Sequence, residues 1–297
     1  MTNGELSELI KNEIKKSGTE DYDFESGCIF EDIMKLDALS FAIKRNEEAD
    51  PSGAERAIKL AKRRGEGYPL QYLLGEWEFY GLPFKVGEGV LIPRPDTEAL
   101  VDTVIEHFRG QQPEIIDLCS GSGCIAVALQ KNLPGSKLIA VELSSEALPY
   151  LVENIRRNQA EVKILKGDVM DGRLLDNFMI KDSGGDYRKL DCMVSNPPYL
   201  TAEEMSSLQT EVSFEPASAL DGGSDGLKFY RVIACLWREI LKDGGLLAFE
   251  IGYEQGKAVS EILERSGYEN IRIIKDLGGR DRVVAGTKKQ NRSDADL

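Results

Sequence analysis

The chain carries a single histidine, His107, in 297 residues. Histidine-dependent acid–base and metal chemistry therefore has little to draw on. His107 itself falls near the end of an amphipathic segment, where a helix-end residue is expected rather than a base, and no cluster with metal-ligand spacing accompanies it. The five cysteines, Cys28, Cys119, Cys124, Cys192 and Cys235, are odd in number and contain no C-x-x-C pair. That argues against a disulfide framework or a zinc site and for reduced thiols. No apolar run approaches the ~20 residues that cross a bilayer. Met1 to Lys16 is polar and charged, without the apolar centre of a secretory signal. These absences make the cytoplasm the expected location and exclude a membrane partner.

Basic charge is also in short supply. Lys and Arg number 37 against 51 Asp and Glu, a net charge of −14. Nucleic-acid affinity rests heavily on neutralised phosphates, so a chain this acidic would need a segregated basic patch. The candidates, Lys59, Lys62, Arg63 and Arg64 and the pair Arg156 and Arg157, fall in amphipathic segments and read as solvated helix faces. No direct nucleic-acid partner is expected.

What is present is ordinary for a globular protein: 41% apolar and 30% charged residues, in a length that suits one large or two unequal domains. Residues 5–74 show no strand pattern and read as short amphipathic helices. Ile29, Ile33, Leu36 and Leu39 recur at helical spacing, as do Ala57, Leu60 and Ala61. Asp50 to Gly53 is a helix stop, or a start with Pro51 in the first turn. Glu78 to Tyr80 and Phe84 to Val86 flank Gly81-Leu82-Pro83 and predict a β-hairpin. Pro93, Pro95, Asp96 and Glu98 open a helix that runs through Val104 and Phe108.

From residue 114 short apolar runs alternate with helical segments. The runs are 114–118, 137–142, 162–165, 190–195, 245–251, 271–275 and 282–286; the helices are 123–132, 145–158, 225–241 and 255–266. Such alternation implies an α/β domain with a mostly parallel sheet. The last two runs are joined by residues 276–281, too few for a crossover helix, and must pair antiparallel. The expected organisation is a helical domain over 1–75, a hairpin linker over 76–92, a seven-stranded α/β domain over 93–288 and a flexible tail over 289–297. Residues 181–189 read as a surface loop.

Three strand ends carry ligand-binding chemistry. Cys119-Ser120-Gly121-Ser122-Gly123 follows the first strand, where glycines permit a tight turn and close backbone approach. The second strand ends in Glu142, placed to bind the ribose hydroxyls of an adenosine. The third is followed by Asp168. Together they argue for an adenosine ligand, which NAD and S-adenosylmethionine both contain. The spacing G-x-G-x-x-G that a pyrophosphate usually needs is missing, so a ligand without phosphate is favoured.

The fourth strand runs into Asn196-Pro197-Pro198-Tyr199. Amide and aryl-amino nitrogens are poor nucleophiles because their lone pair is delocalised. A catalyst that methylates them must hold the NH₂ group and stabilise the positive charge that develops on it. The Asn196 side-chain carbonyl and the Pro197 main-chain carbonyl supply two converging acceptors that aim the nitrogen. The prolines fix φ and donate no N–H, keeping the turn rigid. Tyr199 offers a flat face for a planar group.

On these residues the chain resembles the class I S-adenosylmethionine methyltransferases, and within them it is similar to the HemK-type protein-glutamine methyltransferases. The resemblance covers nearly the whole chain. It is carried by Leu91 to Glu98, the Asn-Pro-Pro-Tyr segment, Phe214-Glu215-Pro216, Pro69 to Gly75 and Asp276 to Val283. It implies a Rossmann-like fold and methyl transfer from S-adenosylmethionine to N(5) of the glutamine in the Gly-Gly-Gln motif of peptide chain release factors, in translation termination. It also implies a helical N-terminal domain that helps hold that protein substrate. Carried over, Cys119 to Gly123 form the cofactor loop, Glu142 holds the ribose, Asp168 and Val169 face the adenine, and Asn196 to Tyr199 bind the substrate glutamine, with Asn196 also beside the cofactor.

Two positions depart from the family pattern. Cys119 stands where glycine is usual, so its φ is expected to be one open to L-residues, with some narrowing of the methionine pocket. Val169 stands where many members carry an aromatic, so adenine stacking is expected to be weaker. A glutamine methyltransferase of a ribosomal protein is the nearer alternative. A DNA methyltransferase acting on the adenine amino group is the remoter one, since it needs a recognition domain and a basic face. A monomer is expected.

Overall fold

The structure is a computed structural model that describes residues 1–178 and 189–290. Residues 181–188 of the expected surface loop and 291–297 of the expected tail lie outside the described residues. The chain divides into two compact units: Met1–Glu76 with Gln209–Glu215, and Trp77–Leu208 with the chain from Pro216 onward. The segment 209–215 therefore leaves the 93–288 span in which the sequence placed it.

The first unit holds α1 (Asn3–Ile14), α2 (Tyr22–Met34), α3 (Ala38–Lys44), α4 (Pro51–Gly65) and α5 (Leu70–Leu74). Polar caps start these helices. Thr2 and Glu5 form a capping box on α1, Asp37 accepts from the Ser40 amide, and Asp50 accepts from the Gly53 amide with Pro51 in the first turn. Asp50 to Gly53 is thus a helix start. Leu6, Ile10 and Ile14 of α1, Ile29 and Phe30 of α2, and Ala57 and Ala61 of α4 are buried. The helical stripe expected from Ile29 to Leu39 is interrupted: Lys35 takes a left-handed φ of 54° and ends α2, and Leu39 on α3 is 72% exposed.

Arg64 also differs from its expected place on a solvated face. It is buried, with Nε and Nη2 donating to the Glu25 carboxylate at 2.8 Å each, and Nη2 donating to Glu211 at 2.9 Å. Two carboxylates offset the desolvation of one guanidinium. That removes Arg64 from the basic candidates.

The second unit opens with a hairpin, β1 (Glu76–Phe79) and β2 (Leu82–Lys85), turning at Tyr80 and Gly81, both with positive φ as a tight hairpin turn requires. There follow α6 (Glu98–His107), β3 (Glu114–Leu118), α7 (Cys124–Asn132), β4 (Lys137–Glu142), α8 (Leu148–Arg157), β5 (Val162–Lys166), β6 (Leu190–Ser195), α9 (Ala202–Ser206), α10 (Lys228–Leu236), β7 (Leu241–Glu250), α11 (Gly256–Arg265), β8 (Tyr268–Lys275) and β9 (Asp281–Lys288). The large sheet has seven strands in the order β5-β4-β3-β6-β7-β9-β8. The β3, β4, β5, β6 and β7 pairings are parallel, whereas β9 runs antiparallel to both β7 and β8. This is the class I methyltransferase fold, with the antiparallel C-terminal hairpin inserted beside β7.

Central strands buried on both faces are nearly continuous apolar runs, as in Ile115 to Leu118 and Cys192 to Val194. The chain moves outward from β3 to β4 and β5, then returns to place β6 on the other side of β3. That reversal opens a crevice at the carboxyl edge between β3 and β6. No described helix is long and apolar enough to cross a membrane.

Candidate active site

The loops leaving β3, β4, β5 and β6 converge on a cavity of about 490 Å³. Cys119, Ser120, Gly121 and Ser122 line it from the first loop, Glu142 from the second, Asp168 and Val169 from the third, and Asn196 and Pro198 from the fourth. Gly123, Pro197 and Tyr199 are not among the lining residues. The sequence did not point to a further wall, Gly89 to Arg94 with Thr97, nor to Phe229 on α10.

The first loop folds on its own backbone. The Ser120 amide donates to Val141 at 3.0 Å, the Ser120 hydroxyl donates to the Asp117 carbonyl at 2.9 Å, and the Gly123 amide donates to Ser120 at 2.7 Å. Gly123 has φ +81°, and a Cβ there would sit 2.4 Å from Leu151 Cδ1, so this position requires glycine. Cys119 overturns the expectation of an L-residue φ: it stands at +65°, in the left-handed region. A non-glycine side chain there costs about 1–2 kcal/mol. The hydrogen bonds of the rest of the loop impose this conformation. Burial, with Glu142 and Asp117 nearby, pushes the Cys119 thiol far up, so it stays a neutral thiol.

Glu142 fastens the site together. Its Oε2 accepts from the Gly121 amide at 2.7 Å and its Oε1 from the Ser144 amide at 2.6 Å. Each oxygen keeps a further lone pair for a ligand hydroxyl. Asp168 Oδ1 accepts from the Met170 amide at 2.8 Å, which fixes the turn after β5. Val169 is buried, and its carbonyl accepts from the Trp237 indole at 2.8 Å. Among the lining residues Glu142, Glu146 and Asp168 are acidic and Arg94 is basic. The wall suits a ligand with net positive charge and disfavours a pyrophosphate.

Two buried carboxyls lie beneath this floor. Asp117, on β3, is fully buried; its neighbour Ser120 spends its hydroxyl on the Asp117 main chain, and neither carboxyl oxygen has a well-aligned partner. Desolvation pushes its pKa up to about 8. Glu250, at the end of β7, is pushed up to about 7, chiefly by burial, against the opposing pull of the Thr97 hydroxyl and Arg282. Both folded values exceed the ordinary carboxylate range. Between the two limits the folded state holds a proton that the unfolded chain has released, so this contribution to stability falls as pH rises and levels off above about 8. Asp117→Asn removes the largest such group. Its melting temperature is expected to gain on that of the wild type from roughly pH 5 to roughly pH 8. A difference that does not grow with pH in thermal melts would show Asp117 to be ionised in the fold.

The Asn196 turn is braced from behind. Ser195 donates to Leu118 at 2.6 Å, locking β6 to β3. Asn196 Nδ2 donates to Thr97 Oγ1 at 3.4 Å. The Tyr199 carbonyl accepts from Gln255 Nε2 at 3.0 Å, and Gln255 Oε1 in turn accepts from the Gly252 amide and the Tyr230 hydroxyl. Leu200 exchanges main-chain hydrogen bonds with Leu220 and Gly222. The Tyr199 ring packs against the sheet core, and burial raises its phenol pKa. Gln255 and the glycines of the 221–226 stretch hold the Asn196 turn through these contacts, which motif reading passed over; the only sequence signal was the density of Asp and Gly there. His107 closes α6, away from the lining residues, and burial lowers its pKa. No group of three or more His, Cys, Asp or Glu that could hold a metal ion occurs among the described residues.

Comparison with known proteins adds to this geometry. Residues 5–75 match the PrmC N-terminal domain, and residues 95–223 match the methyltransferase small domain. A release factor glutamine methyltransferase of Fusobacterium nucleatum is 41% identical over 282 residues, covering 93% of this chain and 76% of that protein. One from Clostridium botulinum is 36% identical over 278 residues, covering 93% and 95%. Among solved structures, the hMettl16 catalytic domain shares 16% identity at a TM-score of 0.54, covering 82% of this chain and 84% of that one, a likeness of fold alone.

Proposed function

The chain belongs to the release factor glutamine methyltransferases, and on that premise we propose that it methylates N(5) of the glutamine in the Gly-Gly-Gln motif of a peptide chain release factor, using S-adenosylmethionine. The observation that carries this reading is the placement of Asn196. It lines the cavity with its Nδ2 donating to Thr97 Oγ1, an arrangement that supports Oδ1 as the acceptor for the substrate amide.

The residues present fit the cofactor. Glu142 ends β4 with lone pairs free for a ribose, Asp168 and Val169 lie beyond it, and Cys119 to Ser122 bring backbone to the cavity wall. The acidic lining suits a sulfonium with an ammonium group. When bound, S-adenosylmethionine supplies an electrophilic methyl group. The chain's own residues then supply position and charge stabilisation. Asn196 Oδ1 and the Pro197 carbonyl accept the two N–H bonds of the substrate amide, aiming its nitrogen and stabilising the positive charge that grows on it. No strong base is needed before transfer, because the nitrogen becomes acidic only as the new bond forms. Release factors belong to the translation machinery, so we propose that the activity is cytoplasmic, and a protein substrate tolerates an enzyme of net charge −14.

The direct test is transfer of labelled methyl from S-adenosylmethionine to a release factor, to its Gly-Gly-Gln variant with the glutamine replaced, to ribosomal proteins and to DNA. Label is expected on the intact release factor and not on the glutamine variant. Label on a ribosomal protein alone would transfer the same chemistry to another substrate, and label on DNA alone would overturn the reading.

A further inference from the structure

The chain that follows the Asn196 turn makes a long excursion and comes back to its starting point. The Leu200 amide donates to the Leu220 carbonyl at 2.9 Å and the Gly222 amide to the Leu200 carbonyl at 2.8 Å, which ties the two ends together. On the return limb Pro216, Ser218 and Ala219 line the cavity. There Ala217–Ala219 forms a single 3-10 turn, and none of its three side chains is buried. A turn with no buried side chain gains little order from its own packing, so the segments at its two ends decide how well it is held.

One end is the pairing with Leu200. The other is Gln209–Glu215, which packs with the helices of the first unit. Arg64, in the last turn of α4, donates from Nη2 to Glu211 at 2.9 Å. The Phe214 ring meets the Tyr68 ring edge-on, with centroids 5.0 Å apart. A Cβ on Gly67 would lie 2.7 Å from Thr210 Cγ2, so glycine is what admits Thr210. Glu25 on α2 accepts from Nε and Nη2 of the same guanidinium at 2.8 Å each, which fixes its orientation.

We propose that Arg64 is a positioning residue: by gripping Glu211 it anchors the limb that walls the cavity, which gives the helical unit a task in cofactor binding. Glu25 and Glu211 then differ in role although both pair with Arg64. Glu25 serves the helices alone, whereas Glu211 stands shortly before Pro216 and carries the anchor to the wall.

The task in cofactor binding rests on S-adenosylmethionine occupying this cavity, and hydrogen exchange measured without cofactor is independent of that reading. Exchange of residues 216–222 in the full-length protein reports the order of the limb; calorimetric titration with S-adenosylmethionine reports its use. Glu211→Ala shortens a partly exposed side chain. Its limb is expected to exchange about 10-fold faster and its cofactor to bind about 10-fold more weakly, since only the ordered fraction binds well. Phe214→Ala loosens the same tip without touching the ion pair, and both readouts are expected to move the same way by about 3-fold. Glu25→Gln weakens the helical unit but leaves Arg64 on Glu211, so both readouts should stay within about 2-fold of wild type. Unchanged exchange in Glu211→Ala, or an equal effect of Glu25→Gln, would overturn the anchor. Faster exchange at unchanged affinity would overturn the task in cofactor binding. A wild type that binds no S-adenosylmethionine would instead sink the cofactor reading, with exchange still deciding the anchor. Circular dichroism on each variant establishes that the helices persist.

Discussion

Asn196→Ala is expected to lower turnover by about 10² or more, by analogy with the loss of one preorganised transition-state acceptor. The size follows from what the residue does. A delocalised amide nitrogen gains positive charge only as the methyl group arrives, so an acceptor on its N–H strengthens in the transition state more than in the ground state. Cofactor affinity should change far less, because Glu142, Asp168 and the loop from Cys119 to Gly123 lie on other strand ends. Single-turnover rates with labelled cofactor, set beside a calorimetric cofactor titration, measure both quantities. A turnover within about 3-fold of wild type would remove Asn196 from the reaction.

That tetrapeptide was legible in the sequence because its chemistry is local: four adjacent residues after an apolar run. The strands β3, β4 and β6 were legible for a related reason, since central strands buried on both faces are short continuous apolar runs. What was not legible depends on partners far along the chain. Arg64 looked like one more cation on a polar helix face, yet its partners Glu25 and Glu211 lie 39 and 147 residues away. Thr97 looked like part of a helix start, yet its hydroxyl oxygen accepts from Asn196 Nδ2, 99 residues away. The φ of Cys119 was misread because residue identity argued against the left-handed region, whereas the hydrogen bonds of the loop impose it.

The same limit moved helix ends. A helix was expected from residue 225, but α10 starts at Lys228, after Gly226 has taken a left-handed turn and Asp225 has accepted from the Leu227 amide. Periodicity reports which residues are apolar. It does not report where a loop must stop to brace another segment.

Gly226 shows the consequence of that bracing and carries the second large effect. Its φ is +69°, and a Cβ built on it would lie 2.4 Å from the Tyr199 carbonyl oxygen and 2.7 Å from Gln255 Nε2. Those two atoms form the hydrogen bond that holds the Asn196 turn from behind. Gly226→Ala therefore adds three costs: a left-handed φ for an L-residue, overpacking against main chain, and the loss of one buried hydrogen bond. Together they amount to about 3–5 kcal/mol of stability. Gly110 separates the first cost from the others, since its φ is +77° with nothing within 4 Å of a built Cβ. Gly110→Ala should lose only about 1 kcal/mol and keep full turnover. In Gly226→Ala, the Tyr199 carbonyl must move to admit the methyl group, carrying the turn with it. A displacement of about 1 Å at a reacting centre lowers the rate by about 10². Urea denaturation and kcat on the two variants give the comparison. If Gly226→Ala loses no more stability than Gly110→Ala and turns over normally, the turn is not held by the contact at Tyr199. Equal stability loss with turnover lost in Gly226→Ala alone would show the bracing to be catalytic rather than structural.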